Sequence, residues 1–196
     1  ENINIDKSLT INGAGADITI VDGRQVGSAL TIGKSNVTIS NINIRGGTSP
    51  NWGGGIINTG RLMVTNCRIS ENSAEYGGGI YNSGTMILID SIISNNSARS
   101  DGGGIYGKIN SQLMIKGASD ISSNTAKNGG GIFNFGTLTL DGSKISRNTA
   151  YSNGGGIVND AKMTMTGSTV SGNSAANGWG GGIANFGMTS SDGTYV

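Results

Sequence analysis

The chain has 196 residues, with 13 basic side chains against 12 acidic ones, 36 glycines, one proline, one cysteine and no histidine. Near-neutral charge without a basic stripe excludes nucleic-acid binding by charge, and no run of about 18 apolar residues is present to span a membrane. The missing imidazole removes Ser-His-Asp and Cys-His triads and histidine metal sites, so neither a metal nor a cofactor is expected.

Residues 1–52 carry six strand-like pairs: Ile3/Ile5, Leu9/Ile11, Ile18/Ile20, Leu30/Ile32, Val37/Ile39 and Ile42/Ile44. Alternation of this kind predicts short strands, arranged as roughly two irregular coils. No signal peptide precedes Glu1, and the start inside a strand pattern reads as a processed or partial chain.

From residue 53 a phrase of three glycines and isoleucine recurs six times, ending at Ile56, Ile80, Ile105, Ile132, Ile157 and Ile183, in steps of 24, 25, 27, 25 and 26 residues. A period near 25 predicts a stacked repeat architecture. Two residues after each isoleucine stands asparagine (Asn58, Asn82, Asn134, Asn159, Asn185), with Gly107 in the third copy. An alternating run follows: Leu62/Val64, Met86/Leu88, Leu113/Ile115, Leu138/Leu140, Met163/Met165. Each unit closes on an Ile/Val-Ser-x-Asn-Ser/Thr-Ala phrase, first at Ile69–Ala74.

Three short strands per unit, repeated in register, describe an all-β parallel β-solenoid with a rise of roughly 4.8 Å per coil. Residues 1–196 form a single β-helix in this reading, 1–52 its irregular coils and 53–196 its GGGI-type repeats. Equivalent residues then stack in columns. Asn72, Asn96, Asn124, Asn148 and Asn173 form one column, a structural ladder whose amides bond to the turn backbone or to the next asparagine. Cys67 shares a column with Ser91, Ser119, Ser143 and Ser168, which predicts a buried small-residue stack.

A third column is sent outward by the alternation: Ile57, Tyr81, Tyr106, Phe133, Val158 and Ala184. An outward apolar stripe implies a partner, a ligand or a covering segment. Its aromatic rings suit sugar stacking; a loop, a terminus, a neighbouring subunit or a corner position would cover it instead. Threonine pairs Thr137/Thr139 and Thr164/Thr166 do not extend into an ice-binding array, because Leu62-Met63-Val64 and Met86-Ile87-Leu88 interrupt it.

The paired phrases resemble the repeats of polymorphic outer-membrane proteins, whose motifs are GGA-aliphatic and FxxN. Isoleucine or valine stands here for the phenylalanine, and 196 residues leave no room for an autotransporter barrel. The opening Ile5–Gly13 and Ile20–Gly23 stretches are similar to the first coils of pectate-lyase-like proteins. Together these resemblances imply a right-handed parallel β-helix displayed outside a bacterial or archaeal cell.

Catalysis would fall to carboxylates. Asp90 and Asp141, taken as the same repeat position, would sit two coils apart and are the only pair that suggests glycoside hydrolysis. The Asn-x-Asp, Asp-Asp and Gly-His-Gly motifs of polygalacturonase-type enzymes are missing, and no acid cluster accompanies Arg24 or Arg45 as a calcium-dependent lyase would need. The expectation is therefore a non-enzymatic extracellular structural, adhesin or filament module. Its partners would be further copies, stacked head-to-tail or laterally, or a polysaccharide. A polysaccharide lyase or glycoside hydrolase is the alternative.

Overall fold

The computed structural model describes residues 2–187, which contain 27 short strands and no helix. Strands pair parallel, each with its equivalent one coil away. Sheet I has eight strands, from Ile3–Ile5 to Ile183–Asn185, and holds the GGGI isoleucines. Sheet II has seven, from Leu9–Asn12 to Lys162–Thr166. Sheet III has seven, from Ile20–Asp22 to Thr169–Ser171. The chain is a β-solenoid of about seven coils.

Each sheet turns one face inward, and sheets I and II bury two side chains per strand there. Ile80 and Ile105 come from sheet I, Leu88 and Ile115 from sheet II, and Ile93 and Ile121 from sheet III. All are fully buried in one continuous core. Each such side chain contributes roughly 1.5–3 kcal/mol by leaving water. Because the coils pair in register, each must place the same shape at the same point, which is why isoleucine recurs.

Sequence alternation misses two features. Sheet IV is a fourth layer of five strands, from Ser73–Tyr76 to Ser174–Ala175. The closing phrase is not one strand: a left-handed residue divides it. Glu71, Asn95, Ser123, Arg147 and Gly172 occupy that corner with φ of 59°, 56°, 57°, 54° and 63°. For the non-glycines this conformation costs about 1–2 kcal/mol each, which stacking of the coils must offset. Coils from Ser73 onward therefore make four strands each rather than three.

The second miss is phase. Ile18 is 73 % exposed and Ile20 also faces solvent, whereas Val21 pairs with Ile44 and packs on the core. A one-residue shift exchanges the two faces of a strand, so the predicted Ile18/Ile20 pair is corrected to Val21.

Candidate functional site

The outward column of sheet I is continuous in register: Ile57, Tyr81, Tyr106, Phe133, Val158 and Ala184 are successive partners. It points away from the core but is not open. Tyr81 and Phe133 are each 8 % exposed and Val158 is buried, while Ile57 and Tyr106 are half-buried. Tyr81 stacks on Tyr106 with centroids 5.4 Å apart and planes 5° from parallel, and Tyr106 stacks on Phe133 at 5.7 Å. Trp52 covers Tyr81 at 5.7 Å, Tyr76 meets Tyr106 edge-on at 5.5 Å, and Phe135 lies 4.8 Å from Phe133. Aromatic pairs in these geometries add about 0.5–1.5 kcal/mol beyond their burial. The stripe is thus a second, outer hydrophobic cluster. Its ring faces are taken up by neighbouring rings, so only edges are left for a sugar.

The covering residues Trp52 and Tyr76 belong to a column that sequence reading missed. It is the position directly before each triple glycine: Trp52, Tyr76, Asp101, Asn128, Asn153 and Trp179. Its polar half forms a ladder. Asn128 Nδ2 donates to Asp101 Oδ1 at 2.9 Å, Asn153 Nδ2 to Asn128 Oδ1 at 3.3 Å, and the Trp179 amide to Asn153 Oδ1 at 3.0 Å. Burial raises the Asp101 carboxyl pKa, against the Asn128 hydrogen bond. Burial, with Asp101 beside it, pushes the Tyr106 phenol up to about 12.

A carboxyl whose folded pKa stands above its unfolded value favours the fold while protonated. That contribution is full below the unfolded value and is lost as pH rises through the folded one. Asp101→Asn, which keeps the acceptor and removes the charge, should therefore raise the melting temperature at neutral pH and leave it unchanged in acid. Melts across the carboxylate range check this; a gain that persists in acid would mean that charge is not the cause.

The Asn72 column joins three coils at every step. Asn124 Nδ2 donates forward to Asn148 Oδ1 at 3.0 Å and back to the Ile93 carbonyl at 2.9 Å, while Asn124 Oδ1 accepts from both the amide and Nδ2 of Asn96, each at 3.0 Å. Asn72, Asn96 and Asn148 repeat the pattern, and Asn173 keeps its backward half. The Cys67 column is likewise a ladder, built from hydroxyls. The Cys67 amide donates to Ser91 Oγ at 3.1 Å and the Ser143 amide to Ser168 Oγ at 3.0 Å. Cys67 itself is buried, and desolvation raises its thiol pKa.

A second asparagine ladder runs Asn58 to Asn82 at 2.7 Å, then Asn134 to Asn159 at 2.7 Å and Asn159 to Asn185 at 2.8 Å. Gly107 breaks it. In the same coil Ser111 replaces the glycine found at Gly60, Gly84 and Gly136, after an insertion of Ile109 and Asn110. Ser111 Oγ is the only buried side-chain polar atom without a hydrogen-bond partner among the described residues. A Cβ on Gly107 would lie 3.3 Å from Asn134 Oδ1 and 3.4 Å from Ser111 Oγ, so the serine occupies part of the space an asparagine needs. Gly107→Asn combined with Ser111→Gly should rejoin the ladder and remove the orphan hydroxyl, worth about 1–3 kcal/mol. The single changes should give less than half the effect between them, and a double-mutant melt series measures the coupling.

The acids do not assemble. Asp141 pairs in register with Lys116, whereas Asp90 stands one position further on, at a left-handed corner with φ 47°. The expected shared column for Asp90 and Asp141 is therefore corrected: the pleat ends at Ile89, and Asp90 begins the bend. Asp90 Oδ1 accepts the Ala118 amide at 2.8 Å, which makes it a turn cap. Arg45 donates to Asp22 Oδ2 at 3.3 Å, and Asp22 is held below the usual carboxylate range chiefly by the Arg24 backbone amide. Among the described residues no three acidic or cysteine side chains come close enough to hold a metal ion.

Two segments, residues 66–83 and 90–108, match the Chlamydia polymorphic membrane protein repeat. Each runs from the turn before sheet III through the ladder asparagine and the triple glycine into sheet I, so the matched unit is one IxxN and GGGI pair. No curated protein and no solved structure gives a significant match. The chain is thus a parallel β-solenoid that carries repeats of the polymorphic membrane protein type.

Proposed function

We propose that the chain is a structural or adhesive module of a bacterial cell surface. The observation that carries this reading is the repeat match, together with a fold in which nearly every recurring column serves coil stacking. The columns build a long, rigid, weakly charged surface and gather no catalytic constellation, which favours display over turnover. Antibodies to the folded chain should label intact cells of the producing organism, and external protease should remove the label. Labelling only after permeabilisation would overturn the location.

The finer part of the proposal concerns glycans. Sugar stacking needs an open ring face, and the sheet I column offers none. Both tryptophans of the chain lie outside it, Trp52 at 50 % and Trp179 at 72 % exposed. We assign glycan contact to these rings. Intrinsic fluorescence should shift when a recognised polysaccharide binds, and Trp52→Ala or Trp179→Ala should remove part of the shift. A silent titration across neutral and acidic polysaccharides would sink the glycan reading and leave the surface role standing.

A further inference from the structure

We propose that the outer face of sheet II is a two-fold interface between two copies of this chain. The register places seven residues in its central column: Thr10, Thr38, Met63, Ile87, Met114, Thr139 and Thr164. Read from either end the order is Thr, Thr, Met, Ile, Met, Thr, Thr. An isologous contact requires a surface that complements itself after rotation, and this column does so about Ile87.

The rotation axis lies between the two faces and runs along strand Thr85–Ile89. It sets coil against coil in reverse order. Ile87 then meets Ile87 of the second copy, Met63 meets Met114, and Thr38 meets Thr139. The flanking columns fit the same operation. Arg61 faces Gln112, Lys116 faces Thr65, Asp141 faces Ser40, and Ile89 faces itself; no like charges oppose each other. Rows of threonine hydroxyls at both ends can bond across the contact through bridging water, while the apolar centre leaves water.

The centre has reason to be covered. Met63 is exposed, and Ile87, Ile89 and Met114 are half-buried side by side on a face that no other part of the described chain covers. A depression of about 430 Å³ lies on one half of the face, lined by Thr10, Thr38, Met63 and Ile87 among others. The operation brings Met114, Thr139 and Thr164 of the second copy over it. Seven strands about 4.8 Å apart, five residues long at about 3.3 Å each, present roughly 550 Å² per copy. The total of roughly 1,100 Å² clears the lower bound for a specific contact of about 1,000 Å² and sits at the weak end of the range. Dimerisation should therefore depend on concentration.

Sedimentation velocity across the micromolar to submillimolar range should show a monomer–dimer equilibrium. Ile87→Lys should abolish the dimer without shifting the thermal melt at concentrations where the parent is monomeric, since this side chain points away from the core, and should remove the concentration dependence of the melt. Cysteine variants treated with a short bis-maleimide test the operator, because facing sheets lie about 10 Å apart and the native thiol of Cys67 is buried. Ile87→Cys should cross-link to itself. Thr38→Cys should not, but a mixture of Thr38→Cys and Thr139→Cys should. A wild-type monomer at every concentration, a dimer indifferent to Ile87→Lys, or self-linking of Thr38→Cys would each overturn the proposal. None of these outcomes bears on where the chain resides, so the surface reading is tested separately.

Discussion

Gly103→Ala should prevent folding or cost more than about 4 kcal/mol, in the range reserved for gross backbone conflict, while Gly181→Ala should stay within about 0.5 kcal/mol of the parent. The triple glycine explains the difference. Gly102 takes the left-handed corner with φ 69°. Gly103 needs glycine for another reason: a Cβ there would meet the Thr125 and Gly130 carbonyl oxygens of the next coil, closer than side-chain carbons approach in real structures. Both obstacles are backbone, and the corner is pinned by the Gly103 amide on Gly129 O at 3.1 Å and the Gly104 amide on Gly131 O at 3.0 Å. Relief would mean parting two coils along the whole rung. Overpacking a deformable core costs about 1–3 kcal/mol; a fixed backbone has no such give. At Gly181 the nearest atom is Asn173 O at 3.4 Å, an ordinary contact. Urea denaturation of both variants checks the contrast. Equal costs would show that conformational freedom, rather than coil spacing, selects glycine here.

The same spacing decides what the sequence could disclose. The isoleucine core and the asparagine ladders were legible because one residue per coil repeats one chemistry, so a column in space is a period in sequence. Where that identity lapses, the reading lapses too. The left-handed corner after sheet III holds Glu71, Asn95, Ser123, Arg147 and Gly172, residues without a common chemistry, and the strand break they impose stayed hidden. Alternation reports which residues share a face but not which face or where a strand begins: Ile18 lies in a turn, and the strand Ile20–Asp22 packs Val21 on the core. Asp90 and Asp141 were set in one column because both follow an apolar run; only hydrogen-bonded register shows Lys116 beside Asp141. The aromatic stripe was found by position, but its cover was not. Trp52, Tyr76 and Asp101 share a column with asparagines, and mixed chemistry along a column leaves no periodic signal.

Asn124→Leu should destabilise the chain by about 2 kcal/mol, and Asn173→Leu by less than half as much. Leucine adds apolar area at a site fully buried in the parent, so hydrophobicity alone predicts a gain. The hydrogen bonds decide otherwise. Losing the Asn124 amide leaves the buried Asn96 backbone N–H without an acceptor, although Asn96 Nδ2 keeps the Ile69 and Ser94 carbonyls, and the leucine methyls must stand where polar atoms now approach to 2.9–3.0 Å. Each buried orphan costs about 1–3 kcal/mol. The orphan and the overpacking, about 1–3 kcal/mol, together outweigh the roughly 2 kcal/mol that a buried leucine supplies. Asn173 serves Asn148 and Ile145 in the same way, but it is only partly buried in the last ladder rung of the described chain, where water can replace lost partners. In a quasi-one-dimensional stack the middle defect also severs two coupled blocks, whereas the end defect frays one. Thermal and urea melts of both variants measure the ratio. A small, equal effect at both positions would show that coil register is held by the sheets alone, and the asparagine columns would then need another explanation.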